Sequence, residues 1–485
     1  MNFIYFNPDE MRADVLGCYG HPLARTPNLD HFAAGGTRFD QCHVQHPVCT
    51  PSRCSFMTGW YPHTRGHRTL WHSLRPDEPN TLKYLKGAGY DVHWIGKNDL
   101  LAVASFADSV TCVHDWRGGG GAEKPGEGDL HYRSFLYGPQ SDHPGDYGIV
   151  HQAISFLRSR KPGDAPFMLY LPTLYPHCPY TVPEPWYSMY APADLPPLRP
   201  AELAGKPAFH RLIRQYRNLG ALSADEMRRI MAVYLGMVSY VDYLFGMLMD
   251  ALDGSGLADD TTVFFFSDHG DWAGDYGLVE KWSNALDDCI TRIPMLVRAP
   301  GMAAGHVVKE PIECFDIVPT TLALADIPLR HTQFGRSMLP QLRGAAGDYA
   351  RAVYCEGGYD THEPHCFEGR TADGICRDVH AIYYPKGRQQ QEAPESVCRA
   401  TMIRTLTHKL VRRTNGEHEL YDLVSDPLEL ANVYGQPACA DIQRRLQEQM
   451  LDWYLHTSDV VPWDEDPRGF PREILCQWPA REGTS

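Results

Sequence analysis

The chain has 485 residues, 43% of them hydrophobic, and its 45 Lys and Arg against 60 Asp and Glu leave a formal net charge of −15. Such a length buries a large core and accommodates more than one domain, while the acidic balance argues against a nucleic-acid binder, which needs a basic surface to neutralise phosphates. A small anionic substrate stays compatible, because a local group of Arg, Lys, His and metal reverses the field within one cleft. No apolar run approaches the length of a membrane span, and Met1 leads at once into the strand-like Phe3-Ile4-Tyr5-Phe6, so no signal peptide is expected. Fourteen cysteines without a Cys-x-x-Cys pair indicate neither a zinc ribbon nor a disulfide framework, and a reducing cytoplasm is the simplest compartment.

In chain order, apolar runs predict strands at Phe3 to Phe6, Val92 to Ile95, Phe167 to Leu171, Thr262 to Phe266 and Pro294 to Val297. They alternate with helical stretches, as in an α/β protein whose largely parallel sheet is covered on both faces. After the first strand, Pro51 suits the opening turn of a short helix over Ser52 to Thr58, with Cys49 just ahead of its N-terminus. Free N–H groups there, together with the forked donor of Arg53, favour a phosphate or sulfate. Ser223 and Glu226 form a capping box that opens a long helix through Tyr240 toward Leu252, with Met227, Ile230, Met231, Tyr234 and Val238 as core positions. Small residues in Arg343 to Asp348 place a boundary between residues 1–345 and 346–485. Beyond it, Met402 to Leu406 and Lys409 to Arg413 read as a hairpin. Tyr359 to Cys366 carries His and Cys in no recognised ligand spacing.

Polar residues cluster just after these strands. Asp9 and Glu10 follow the first, Lys97 to Asp99 the second, His177 the third, and Asp268 with His269 the fourth. In open α/β sheets ligands gather outside the carboxyl ends of the strands, so these distant segments are expected to meet at one edge. Asp268 and His269 offer a hard oxygen and an imidazole nitrogen at adjacent positions. Prolines 176 and 179 restrict the backbone on both sides of His177.

Cys49-Thr50-Pro51-Ser52-Arg53, with Thr58-Gly59 beyond it, resembles the signature of the type I, formylglycine-dependent sulfatases and the related phosphonate monoester hydrolases of the alkaline phosphatase superfamily. In that family the motif directs oxidation of the cysteine to formylglycine. Asn7 to Asp14 with Gly17 to Gly20 resembles the first metal-binding segment, Asp9 matching a ligand aspartate and Glu10 standing where Asp or Gln is usual. Ser267-Asp268-His269-Gly270-Asp271 resembles the second, and its His form is similar to the phosphonate monoester hydrolase and choline sulfatase branch. Tyr175 to Tyr180 resembles the Pro-His-x-Pro segment whose His faces substrate, and Glu280-Lys281-Trp282 the segment with a second substrate-binding lysine. Gly96-Lys97-Asn98-Asp99 departs from the family's Gly-Lys-x-His: Lys97 transfers, and Asp99 occupies the His position. Glu419 to Leu423, followed by Asp426-Pro427, looks like the C-terminal sulfatase subdomain.

The resemblance implies an alkaline-phosphatase-like α/β/α sandwich over residues 1–345 and a smaller C-terminal α+β subdomain with a terminal helix over 346–485. It further implies one divalent ion, Ca²⁺ or Mn²⁺ with Mg²⁺ as a third option, held by Asp9, Glu10, Asp268, His269 and the modified Cys49. Arg53 and Lys97 then stabilise the anionic transition state, and His177 or Lys281 protonates the departing alcohol. The implied reaction is hydrolysis of aryl, alkyl or carbohydrate sulfate monoesters after maturation by a formylglycine-generating enzyme, with no membrane partner and a homo-oligomer by analogy. A phosphonate monoester or phosphodiester hydrolase would use the same site. A non-catalytic anion-binding protein is the reading from another class, raised by Asp99.

Overall fold

The computed structural model describes residues 1–460 except 116–120, 127–128, 130–132, 162, 364–365, 369, 372–373 and 376–377. The end of the predicted C-terminal part, 461–485, and two residues of the Tyr359 to Cys366 segment therefore lie outside the described residues.

Nine strands make the large sheet: β1 (Asn2–Asn7), β2 (Thr37–His43), β3 (Asp91–Trp94), β4 (Cys112–Val113), β5 (Phe167–Pro172), β6 (Thr261–Phe266), β7 (Arg292–Ile293), β8 (Met295–Arg298) and β9 (His306–Glu313). Their order is β4-β3-β5-β1-β6-β8-β2-β7, with β9 beside β2. The first five are mutually parallel. The expectation of a largely parallel sheet needs correction beyond β6, where β8 pairs antiparallel with both β6 and β2 and the sheet becomes mixed. The four strands that the apolar runs do not reveal have physical reasons to be quiet. β2 alternates in Arg38, Asp40 and Gln41, β9 contains Lys309, Glu310 and Pro311 opposite a bulge between Phe39 and Gln41, and β4 and β7 are two residues each.

Both faces of the parallel half are buried, and the period of two divides each strand between two cores. Ile4 and Phe6, Leu169 and Leu171, Val263 and Phe265 join one core, while Phe3 and Tyr5, Met168 and Tyr170, Phe264 and Phe266 join the other. Helices Gly145–Ser159 and Ala224–Gly254 cover the first face, and Cys49–Thr58, Thr81–Gly87 and Ile317–Leu324 cover the second, giving the α/β/α sandwich. Each large apolar side chain so enclosed contributes about 1.5–3 kcal/mol of burial free energy.

Helix Ala224–Gly254 opens with the capping box read from the sequence, Ser223 Oγ accepting from Glu226 N–H and the Glu226 carboxylate accepting from Ser223 N–H. It also corrects the statement about membrane spans, since by length and composition this helix is apolar enough to cross one. Its apolar residues are instead spent on the first core, packed against the Gly145–Ser159 helix and, through Phe245, against Phe6 of β1 and Phe265 of β6.

Toward the C-terminus, β10 (Val353–Gly357), β13 (Ala400–Arg404), β14 (His408–Arg413) and β15 (Glu419–Asp422) form an antiparallel sheet in the order β10-β13-β14-β15, and β11 (Arg370–Thr371) with β12 (Gly374–Ile375) makes a separate ribbon. Helix Ala440–Thr457 packs onto this sheet through Leu446, Met450 and Trp453. Cys355, Met402, Leu410 and Leu420 belong to the same second core as β1 and β6, so the C-terminal sheet is fused to the sandwich by continuous apolar packing.

Candidate active site

Because β1, β3, β5 and β6 are parallel, the segments leaving their carboxyl ends emerge side by side. Asn7 at the end of β1 donates from Nδ2 to Phe266 O on β6, 2.9 Å, and its Oδ1 accepts from Tyr170 Oη on β5, 3.2 Å, so one amide ties three strand ends together. Ser267 adds a second tie, its hydroxyl 2.9 Å from Pro8 O and accepting from Met11 N–H at 2.9 Å.

Helix Cys49–Thr58 points its first turn into this junction. Cys49 is the first helical residue and not, as the Pro51 argument places it, outside the helix, because Ser52 N–H bonds Val48 O at 3.1 Å and closes a turn over it. Cys49 Sγ lies 3.1 Å from His269 Nε2 and 3.6 Å from Asp9 Oδ1. Ligand atoms of Asp9, Cys49, Asp268 and His269 all fall within 4.8 Å of one another, and all four residues are buried.

Arg53, one helical turn after Cys49 and fully buried, fixes this group from behind. Its Nη2 is 3.0 Å from Asp9 Oδ2, and its Nε and Nη2 are 2.9 and 2.8 Å from Asp268 Oδ2. Both outer carboxylate oxygens are thus taken, which leaves Oδ1 of each on the side of Cys49 and His269; His269 Nε2 is 3.8 Å from Asp9 Oδ1 and 3.9 Å from Asp268 Oδ1. His269 Nδ1 lies 2.9 Å from Gly270 O, so it donates there and Nε2 keeps its lone pair for a ligand. Two carboxylate oxygens, an imidazole nitrogen and position 49, with the imidazole nitrogen 3.1–3.9 Å from the other three, match the donor chemistry and size of a divalent-ion site. Burial opposes ionisation of Asp9, but Lys97 and Arg53 more than offset it and hold its carboxyl well below the usual range.

The structure brings together four of the five residues expected as ligands, and Glu10 is not in that group. Glu10 sits at φ 67°, with its N–H on Asp268 Oδ1 at 3.1 Å and its carbonyl accepting from Tyr234 Oη at 2.7 Å. This left-handed turn sends the carboxylate to Lys281 and His177, whose Nζ and Nε2 are 3.2 and 3.4 Å from Glu10 Oε2. Lys281 Nζ is also 2.6 Å from His177 Nε2, and His177 Nδ1 donates to Cys178 O. Only one tautomer satisfies both contacts: a neutral imidazole with hydrogen on Nδ1, accepting from the ammonium at Nε2. The direction of titration agrees, since burial and then Lys281 push the His177 pKa down to about 3.

On the opposite side, Lys97 Nζ contacts Asp9 Oδ2 and lies 2.7 Å from Asp99 Oδ2. Gly96 permits this entry: φ is 144°, and a Cβ would meet Pro172 O at 2.2 Å. Burial raises the Asp99 pKa, yet Lys97 and Arg53 bring it below its ordinary value, so the residue is a carboxylate at neutral pH. Asp9, Arg53, Asp268 and His269 are wholly enclosed, whereas Lys97, Asp99 and His177 are 19%, 28% and 20% exposed and mark the open mouth.

Several residues that shape the site went unread in the sequence. Tyr170 lies 3.4 Å from Arg53 Nη1. Glu280 is clamped between Lys386 at 2.9 Å and Arg217 at 2.7 Å, which fixes the turn bearing Lys281. Burial opposes its charge, but those two cations lower its pKa to about 2. Adjacency to Lys281 was a signal for Glu280; no local pattern marks Lys386 or Arg217.

Comparison with known proteins decides the family. The family model described as Sulfatase matches residues 1–327, and that of the N-sulphoglucosamine sulphohydrolase C-terminal region matches residues 369–455. The chain belongs to the sulfatase family. It is therefore a sulfuric ester hydrolase, one of a family that generally uses a metal ion and formylglycine. An uncharacterized sulfatase YidJ of Escherichia coli K12 is 28% identical over 506 residues, covering 96% of this chain and 91% of that one. Among solved structures, the phosphonate monoester hydrolase of Agrobacterium radiobacter superposes with a TM-score of 0.76 at 21% identity, covering 94% and 96% of the two chains. BT4656, solved in complex with D-glucosamine-2-N,6-O-disulfate, gives a TM-score of 0.72 at 21% identity, covering 93% and 97%.

Proposed function

We propose that this sulfatase hydrolyses carbohydrate sulfate monoesters with position 49 as formylglycine, matured by a formylglycine-generating enzyme. The observation that carries the reading is the closed group of Asp9, Cys49, Asp268 and His269, with Arg53 bound to the outer oxygens of both carboxylates. Formylglycine there, once hydrated to its geminal diol, would supply the attacking hydroxyl, and a divalent cation, Mn²⁺ or Ca²⁺ for this oxygen and nitrogen donor set with Mg²⁺ the third option, would supply the charge that lowers its pKa.

The chain's own residues account for the rest. Asp9 Oδ1, Asp268 Oδ1 and His269 Nε2 would hold the ion, and Arg53 orients both carboxylates. Lys97, at the open mouth, presents its ammonium to the oxygens of the ester, where negative charge grows during S–O cleavage. Asp99 holds that ammonium in place; its lowered pKa makes it a poor base, so it takes a positioning role. Lys281 keeps a proton against His177 Nε2, and the pair delivers it to the departing alkoxide. Around Lys281, burial disfavours the ammonium, but Cys49, Glu10 and Glu280 raise its pKa well above the usual value, so the proton store is full at neutral pH.

Fourteen cysteines scattered without the spacing of a disulfide framework support a reducing cytoplasm as the compartment. The small residues of Arg343 to Asp348 support the division at 345/346, and the resemblance supports a homo-oligomer. Steady-state hydrolysis of a nitrophenyl sulfate and a nitrophenyl methylphosphonate, which share one leaving group, tests the reading in metal-loaded, matured protein. A higher kcat/KM for the sulfate is expected. A higher value for the phosphonate would favour the phosphonate monoester hydrolase reading, and an intact Cys49 with turnover of no ester, sugar sulfates included, would favour an anion-binding protein.

A further inference from the structure

A second group of metal-type ligands sits on the sheet edge, apart from the catalytic residues. β4 is the edge strand and pairs in parallel with β3, placing His93 opposite Cys112. His114 follows Cys112 by two residues and so returns to the same face. His93 Nδ1 and His114 Nε2 are 2.7 Å apart, and with Cys112 Sγ they form a group whose ligand atoms all lie within 4.8 Å.

The surroundings prepare His93 to be a ligand. Its other nitrogen, Nε2, is 2.9 Å from Asp91 Oδ2, and Arg160 Nη1 holds that carboxylate at 3.1 Å. A carboxylate this close to the remote nitrogen favours hydrogen on Nε2 and so leaves Nδ1 with its lone pair for a ligand. The ring is further pinned on Phe156, centroid to centroid 4.1 Å, and His93 is buried. Cys112 and His114 are only partly buried, which leaves an entry path for an ion. Two imidazoles and a thiol are a borderline-soft set, selective for late transition metals over Ca²⁺ or Mg²⁺.

We propose that His93 Nδ1, Cys112 Sγ and His114 Nε2 bind one Zn²⁺, or an equivalent late transition ion, with water as the fourth ligand. Binding releases the thiol proton, and the hydrogen between the two imidazoles is replaced by one on His114 Nδ1, so that both ligating nitrogens present a lone pair. At Zn–N lengths of about 2.0–2.1 Å a tetrahedral site separates the two nitrogens by about 3.3 Å, an opening that the partly exposed His114 side chain provides by swinging outward. The ion clips the two-residue strand β4 onto β3. Because His114 N–H already bonds Trp94 O at 2.9 Å and Lys97 follows three residues later, the clip braces the strand end that presents Lys97.

Co²⁺ titration of metal-free, full-length protein carrying Cys49→Ser tests this, since that background removes the thiol of the catalytic group. The expected result is a near-ultraviolet thiolate-to-Co²⁺ charge-transfer band that saturates at one equivalent and is displaced by Zn²⁺. Adding Cys112→Ser removes the band, and adding His114→Ala instead weakens the affinity by roughly ten-fold or more. Asp91→Asn, which spares all three ligands, weakens it by about 10–100-fold. Absence of a Cys112-dependent band, or a band whose affinity is unchanged by His114→Ala, overturns the proposal.

Discussion

Replacing Arg53 by alanine deletes the cation that sits behind both carboxylates of the proposed metal group. Lys97 remains on Asp9 Oδ2, so the loss falls mainly on Asp268, whose Oδ2 has its two contacts at 2.9 and 2.8 Å from this guanidinium alone. Removing one partner of a buried ion pair costs about 3–5 kcal/mol. Asp268 Oδ1 still accepts from the N–H groups of Glu10 and His269, 3.1 and 3.0 Å, which puts the expected cost near the lower end, about 3 kcal/mol. A divalent ion changes this balance. Losing a neighbouring positive charge strengthens ion binding, and an ion that binds the folded state more tightly adds more stability to the variant than to the parent. Urea midpoints of both proteins, each with unmodified Cys49, would be compared in chelator and in saturating Mn²⁺. The penalty is expected to shrink from about 3 to under about 1 kcal/mol on adding the ion. An equal penalty in both conditions would refute the placement of the ion against Asp268, and a penalty below about 1 kcal/mol in chelator would refute the claim that Arg53 carries the buried charge. In matured protein the same substitution should lower kcat for sulfate release by about 10²–10³-fold.

Two further outcomes follow from the same geometry. Lys281→Ala removes the proton held at His177 Nε2, so kcat should fall by about 10²–10⁴-fold for an alkyl sulfate and by less than about 10-fold for a nitrophenyl sulfate, whose leaving group needs no proton; a leaving-group series checks this, and equal losses would contradict the role. Glu280 has its folded pKa lowered from 4.5 to about 2, so its ion pairs contribute stability that is fully present above pH 4.5 and is lost as the pH falls toward 2. That contribution is roughly 3 kcal/mol, and the stability gap between the parent and Glu280→Gln should close across that window in urea titrations at successive pH values.

Much of the site was legible because its residues follow strands that announce themselves. β1, β5 and β6 are continuous apolar runs buried on both faces, and Asp9, His177, Asp268 and His269 lie in the segments that follow their ends. The capping box at Ser223 was equally plain, being a local hydrogen-bond pattern. What stayed hidden depends on partners distant in sequence. β2 and β9 alternate or break their apolar pattern because neighbouring strands supply the burial, and Glu10 leaves the metal group because a left-handed turn, fixed by Asp268 and Tyr234, redirects its side chain. Asp99 could be noticed as a departure from the family pattern, but its pairing with Lys97 became visible only in three dimensions. The His93, Cys112 and His114 group has no motif spacing at all, since strand pairing alone brings it together.

The central claim is that position 49 carries the nucleophile as formylglycine. Fragmentation mass spectrometry of the tryptic peptide from Phe39 to Arg53, taken from protein coexpressed with a formylglycine-generating enzyme, tests it most directly, and the fragments must separate Cys49 from Cys42 in the same peptide. An aldehyde or its hydrate located at Cys49 is the predicted result. An unmodified thiol there, in protein that nonetheless folds and binds its ion, would contradict the mechanism.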